Sequence, residues 1–133
     1  MLKLAAAVLA LATPAMVQAT TLTVENRSGR QVSLTITKAP VDYDVLDPTL
    51  RPGATFAAFK PGGKVLMPHD DADRATFEIT YVDQRGAGCR FGVMPIRHST
   101  TWTKIKPMAA PIGDGRCEAR TGSTIGDFVF VVR

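Results

Sequence analysis

Apolar and polar residues alternate with period two through much of the chain, and this pattern constrains the fold more than any other feature. The alternation is clearest in residues 21–25, 32–37 and 76–81. Successive side chains of a strand point to opposite faces, so each of these segments has one apolar face for a core. No window of about eleven residues has the apolar stripe of an amphipathic helix. The sequence therefore predicts an all-β domain.

Turn residues separate these segments. Asn, Ser and Gly fill residues 26–30, and Asp and Gly recur in residues 83–88, which is typical of hairpin turns. We predict one hairpin across 20–37 and a second with strands at 75–82 and 88–94. Further strands are predicted at 54–59, 63–67, 99–105, 116–121 and 126–132. The last is apolar on both faces, as in a central strand or in one that a neighbouring loop covers.

These strands number about eight to nine and are short, as in a small antiparallel β-sandwich of immunoglobulin-like or jelly-roll-like type. A small β-barrel is the alternative. We expect one domain, because the segment from residue 20 to 133 has no linker, repeat or low-complexity tract.

The first 19 residues have the composition of a cleavable signal peptide. Lys3 precedes an apolar run at residues 4–12, Pro14 follows it, and Val17-Gln18-Ala19 provides small residues for cleavage. The run is too short for a membrane span, which needs about 20 residues. We predict an exported protein, periplasmic or secreted, whose mature chain begins at Thr20 and has no transmembrane segment.

The only two cysteines, Cys89 and Cys117, fall in the predicted mature chain. An even number of cysteines in an exported chain predicts a disulfide bond. Strand parity places Cys89 with Phe91 and Val93, on the apolar side, so we expect a staple between strands or between sheets. A zinc site is disfavoured, because it usually needs four ligands in closely spaced pairs.

Two acidic segments are weak candidates for a metal site. The first contains His69, Asp70, Asp71 and Asp73, and the second contains Asp42, Asp44 and Asp47. Carboxylates and an imidazole could hold a divalent cation if the two loops met, but the spacing does not fit an EF-hand loop. We favour solvated turns and predict neither a metal nor a cofactor.

Catalytic motifs are not evident in the sequence. His69 or His98 could act as the base of a hydrolase with one of the serines, but there is no G-x-S-x-G motif to identify a nucleophile. A disulfide would leave no free thiol. We therefore expect a protein that is not an enzyme.

Charge is distributed unevenly along the predicted mature chain. Residues 20–84 have a net charge of −2, and residues 85–120 have a net charge of +5. The basic residues of the second part are Arg85, Arg90, Arg97, Lys104, Lys106, Arg116 and Arg120. A one-sided positive field favours acidic partners, such as an acidic protein surface, lipid head groups or an anionic wall polymer, although scattered solubilising charge would give the same count. We expect no nucleic-acid partner in an exported protein.

Trp102, the only tryptophan, lies within this basic part. If residues 98–106 are extended, Trp102 shares one face with His98, Thr100, Lys104 and Lys106. This face is either a platform for a partner or sugar, or the edge of a core from which lysine stems reach solvent. The average burial of tryptophan favours the core.

These observations together predict a small exported, non-catalytic binding or interaction module of the cell envelope or extracellular space. Its partner would be an acidic protein surface or an anionic or carbohydrate polymer. The alternatives are a secreted hydrolase using His69 or His98, and a structural subunit of an envelope assembly, to which the apolar last strand could add. The sequence gives no oligomeric state.

Overall fold

The computed structural model describes residues 20–38, 46–60, 66–68, 76–123 and 126–133, which form ten β-strands. In chain order these are β1 Thr20–Asn26, β2 Val32–Lys38, β3 Thr49–Leu50, β4 Thr55–Lys60, β5 Leu66–Pro68, β6 Glu78–Val82, β7 Gly88–Arg97, β8 Trp102–Ile112, β9 Cys117–Thr121 and β10 Phe128–Val132. The predicted signal peptide and the first predicted acidic segment, with His69, Asp70, Asp71 and Asp73, lie outside these ranges.

The strands form two sheets that pack as a sandwich, so the predicted all-β sandwich is confirmed. The smaller sheet has the order β4-β1-β10-β9, and the larger has the order β3-β2-β6-β7-β8-β5. Neighbours are antiparallel except β1 and β10, which run parallel. The apolar last strand is central, as its composition predicted, because β10 lies between β1 and β9.

One predicted hairpin is confirmed and the other is wrong. β6 and β7 pair through a turn in which Asp83 N–H donates to the Ala87 carbonyl and Gly86 has a φ of 80°. β1 and β2 are both strands, but they lie in different sheets. β1 already has β4 and β10 on its two edges, so the turn after it leads across the sandwich instead of back along the same sheet.

Asn26 holds this crossing turn in place. Its buried side-chain amide donates to the carbonyl of Arg30 at 2.6 Å and to that of Leu50 at 2.9 Å. Its Oδ1 accepts from Ser28 N–H at 3.1 Å and Ser28 Oγ at 2.7 Å. One side chain therefore satisfies the turn that joins the sheets and anchors it to the end of β3.

Aromatic side chains fill the space between the sheets. Phe130 of the smaller sheet packs on Phe91 with ring centroids 5.0 Å apart, and meets Phe77 edge-on at 6.0 Å. Tyr81 is fully buried beside them, and its hydroxyl donates to the Asp47 carbonyl at 2.7 Å. Burial, with a smaller effect of the Asp47 carboxylate, raises the pKa of Tyr81 to about 12, so the hydroxyl stays a donor.

β8 is longer than predicted and continues past Pro107 and Pro111. Its register with β7 is unbroken from Arg97↔Thr103 to Gly88↔Ile112. The Trp102 carbonyl accepts from His98 N–H. The backbone N–H and C=O groups of even-numbered residues of β8 therefore point toward β7, and those of odd-numbered residues point away from it. Both prolines are at positions facing away from β7, where a missing N–H costs no hydrogen bond to that strand.

A disulfide between Cys89 of β7 and Cys117 of β9 joins the two sheets, with 5.8 Å between the Cα atoms. Cys89 is fully buried. The predicted staple is therefore confirmed, and it is of the inter-sheet kind. It closes a loop with a sequence separation of 28 residues, worth roughly 3–4 kcal/mol in the chain-entropy model.

Replacing both cysteines, as Cys89→Ala/Cys117→Ala, should lower the free energy of unfolding by roughly 3–4 kcal/mol because the unfolded chain regains loop entropy. Urea unfolding under oxidising conditions measures this loss. Reducing agent should destabilise the wild type and leave the double variant unchanged. Equal stability of the two proteins under oxidising conditions would show that the staple contributes nothing.

Candidate functional site

The antiparallel ladder of β7 and β8 presents an apolar and cationic surface on the outer side of the larger sheet. Its unbroken register places the outward side chains of the two strands opposite one another, as in the pairs Ile96↔Lys104 and Met94↔Lys106. We call this surface the Trp102 face and define it by Met94, Ile96, Trp102, Lys104, Lys106 and Met108. Every one of these side chains is exposed.

Trp102 is 41% exposed, so it does not lie in the core, contrary to the expectation from average tryptophan burial. The inward side chains of β8 are its odd-numbered neighbours, of which Thr103 and Ile105 are buried. Met94, Ile96 and Met108 are exposed to a similar extent as Trp102. The strand thus follows the predicted alternation, and the indole belongs to its outer side.

His98 occupies a tight turn before β8 and is not part of the strand. Trp102 O accepts from His98 N–H at 3.0 Å and from Ser99 N–H at 3.1 Å, while Ser99 Oγ accepts from Trp102 N–H. Of the residues predicted to share a face, Trp102, Lys104 and Lys106 do so within β8. His98 and Thr100 are exposed in the turn beside Trp102.

Lys104 and Lys106 carry positive charge that no described carboxylate lies close enough to pair with. Salt bridges among the described residues involve other cations, such as Arg90, which lies 3.4 Å from Glu78 on the same side of the sheet. The two lysines stand between the apolar side chains of the Trp102 face. A ligand bound here meets both dispersion contacts and positive charge.

Met94, Ile96 and Met108 are not among the site residues predicted from the sequence. For Met94 and Ile96 a pattern was available, because they have the opposite parity to Cys89, Phe91 and Val93 and so belong to the outer side of β7. Met108 lay beyond the predicted end of its strand, since Pro107 and Pro111 obscured the continuation.

Two other basic residues of the chain segment 85–120 lie away from this face. Arg85 lies in the β6–β7 turn next to Asp83, and Arg120 lies in the other sheet, 3.7 Å from Glu118. Their charges are compensated by carboxylates. Lys104 and Lys106, in contrast, share one side of β8 and have no salt bridge to a described carboxylate.

The hydrolase candidates are brought together only in part: Ser99 follows His98 in the turn before β8, where its Oγ accepts from Trp102 N–H. His98 lies at the far end of β7, whereas Ser28 and Ser33 lie beside the β6–β7 turn at its near end. His69 lies outside the described ranges, as do Asp42 and Asp44.

Asp47 has structural partners. Its Oδ1 accepts from Thr49 N–H, and its carbonyl accepts from the Tyr81 hydroxyl. Within the described ranges, no group of three or more His, Cys, Asp and Glu side chains is arranged to hold a metal ion.

A polar cavity of about 200 Å³ lies at the opposite end of β7 from Trp102. Arg30, Asp83, Arg85 and Asp114 are among its lining residues. Asp83 Oδ2 lies 3.1 Å from Arg85 Nη2 and 3.7 Å from Arg30 Nη1, so the cations are already paired. The ion pairs of Asp83 connect the turns that carry Arg30 and Arg85, so the polar residues of the cavity have a structural role.

Asp83 is the centre of that arrangement. Its side chain is 9% exposed, but the side chains that shield it from solvent, those of Arg30 and Arg85, are themselves about half exposed. Burial opposes ionisation, yet hydrogen bonds from the Arg85 side chain and from the N–H groups of Ala87 and Arg85 outweigh it and lower the pKa of Asp83.

No helix in the described ranges is long and apolar enough to cross a membrane. In comparisons with known proteins, neither a protein-family model nor a curated protein sequence matches the chain. The geometry of the Trp102 face is thus the basis for a functional conclusion.

Replacing Trp102 with alanine should lower the free energy of unfolding by less than about 2 kcal/mol, because much of the indole already meets solvent. The matched change Phe91→Ala removes a fully buried ring and should cost about 3–5 kcal/mol. Denaturant unfolding followed by circular dichroism compares the two variants. In the wild type, iodide should quench the Trp102 fluorescence; an unquenchable indole would contradict its exposure.

Asp83→Asn should destabilise the protein at neutral pH, because a lowered folded-state pKa means that the ionised carboxylate favours the folded state. The wild type should lose this contribution as the pH falls below about 4. The stabilities of the two proteins should therefore become equal in acid. Thermal unfolding across this pH range measures the difference. Asp114→Asn is the control, since that side chain is 88% exposed, and an equal effect at Asp114 would refute the assignment.

Proposed function

We propose that this chain is a small exported binding module of the cell envelope or extracellular space, and that its Trp102 face binds an acidic protein partner. Export is supported by the signal-peptide composition of residues 1–19 and by the disulfide, since disulfides persist in oxidising compartments. The observation that carries the binding role is the Trp102 face itself.

The apolar part of this face supports a protein as the ligand. Exposed clusters of large apolar side chains mark interaction sites on soluble proteins, and tryptophan and methionine are enriched where proteins meet. Met94, Ile96 and Met108 offer no hydrogen-bond donor, and the thioethers of the two methionines are only weak acceptors. A carbohydrate chain would leave hydroxyl groups without partners against them, whereas apolar side chains of a protein would be buried.

The charged part of the face supports an acidic partner. Lys104 and Lys106 lie at alternate positions of β8 and point to the same side as Trp102. A partner loop or strand that presents acidic and apolar side chains on the same side would place carboxylates at both lysines while covering the indole. Complementary charge at such positions raises the association rate and selects the partner.

The test uses the fluorescence of Trp102, which reports directly on this face because the chain has no other tryptophan. The probes are an extended peptide with the repeat Leu-Ser-Glu-Ser, which presents Leu and Glu on the same side, the same peptide with Lys in place of Glu, and polygalacturonate. The acidic peptide should give a saturable blue shift, because it covers the indole with leucine, and the Lys peptide should give none. Saturable binding of polygalacturonate without binding of the acidic peptide would replace the protein partner by an anionic carbohydrate.

Reversing the charge of the two lysines then tests whether the peptide binds at the Trp102 face. Lys104→Glu/Lys106→Glu should weaken the binding of the acidic peptide by about tenfold or more. The matched control, Arg51→Glu/Arg116→Glu, changes the net charge equally at two exposed residues outside the face and should have little effect. Equal weakening by both double variants would mean that net charge, and not the Trp102 face, governs binding, and failure of all acidic probes would overturn the proposal.

A further inference from the structure

The four sheet edges of the sandwich differ in how open they are. β3 and β5, the edges of the larger sheet, have two and three residues. β9, one edge of the smaller sheet, packs against β8 and is tied to the larger sheet by the disulfide. β4, the other edge, has six residues and pairs only on its β1 side among the described strands. Among the described strands it is therefore the longest edge with no partner on its second side.

Hydrogen bonding identifies which residues of β4 face outward. Asn26 N–H donates to the Ala54 carbonyl at 2.9 Å. The backbone groups of even-numbered residues from Ala54 onward therefore point toward β1. Odd-numbered residues face away, because N–H and C=O groups alternate sides along a strand. Thr55, Ala57 and Phe59 consequently present their backbone groups at the free edge, and their side chains are exposed as well.

β4 lacks the features that usually protect an edge. Such strands commonly carry proline, charged side chains or a bulge. β8 has Pro107 and Pro111 at the positions that face away from β7, whereas β4 reads Thr-Phe-Ala-Ala-Phe-Lys and has its only charge at its last residue. Phe59, 49% exposed, lies on the outer side of this unprotected edge.

We propose that β4 pairs antiparallel with β4 of a second copy, about a twofold axis through Ala57. The sequence of the strand is complementary to itself in this register. Ala57 meets Ala57 of the partner copy, and Thr55 meets its Phe59, all with backbone groups that face outward. On the inner side Phe56 meets Ala58 of the partner copy. Small side chains thus lie opposite larger ones.

Charge does not oppose a second copy here. Residues 55–59 are uncharged, so no like charges meet along this part of the paired strands. The pairing joins two four-stranded sheets into one continuous sheet. It is independent of the Trp102 face, which lies on the outer side of the other sheet. The paired edge is short, so the dimer is weak and forms at micromolar or higher concentration.

The test exploits the position of Ala57 on the proposed axis. The wild-type protein should dimerise in sedimentation-velocity runs at increasing concentration. Ala57→Lys and Ala57→Glu should each weaken self-association by more than about tenfold, since each places like charges in contact across the axis. An equimolar mixture of the two variants should restore a dimer, because unlike charges then meet there.

Further variants make the outcome decisive. Ala57→Pro removes an N–H that faces outward and should also abolish the dimer while β1–β4 pairing and thermal stability are kept. Ala110→Lys alters an exposed alanine of β8 and should leave the dimer intact. A wild type that stays monomeric throughout, Ala57 variants that dimerise like the wild type, or a mixture that forms no heterodimer would each overturn the proposal. A dimer that only Lys104→Glu/Lys106→Glu disrupts would also overturn it.

Discussion

The contact of Phe130 with Phe91 and Phe77 holds the two sheets face to face, and the arrangement of the rest follows from where Phe130 lies. Phe130 belongs to the last strand, which sits between β1 and β9 in the centre of the smaller sheet. That sheet cannot form from β1 and β4 alone and still cover the core. Its completion depends on a parallel pairing of the first and last strands, the least local contact in the fold, and such contacts slow folding.

The period-two alternation predicted the sandwich because burial of one face per strand is what the fold requires. It could not assign strands to sheets. The turn at residues 26–30 has the composition of a hairpin, but the Asn26 amide reaches the Leu50 carbonyl, a partner distant in sequence. Local turn chemistry is the same whether the chain folds back along one sheet or crosses to the other, so only the tertiary contact distinguishes them.

The period-two pattern predicted which side chains of the candidate site lie on the same side of β8, but not that Trp102 is exposed. Alternation correctly placed Trp102 with Lys104 and Lys106, and the same alternation separates them from Thr103 and Ile105. Average burial pointed to a core tryptophan, because an average carries no information on which face of a strand is covered. The end of β8 was missed for a related reason. Pro107 disfavours a central strand, and it is accommodated here because its position faces away from β7.

Charge separates the two exposed surfaces that are available for association. Two copies that met through their Trp102 faces would bring Lys104 and Lys106 of each into the same desolvated contact, which opposes self-association there and leaves the face to acidic ligands. β4 has no charge along its outward-facing residues, so nothing repels an identical strand. Because one surface lies on the outer side of the larger sheet and the other at the edge of the smaller, occupation of one leaves the other accessible. A dimer built through β4 would then present two Trp102 faces, and two weak contacts to a partner with repeated acidic sites would reinforce each other through effective concentration.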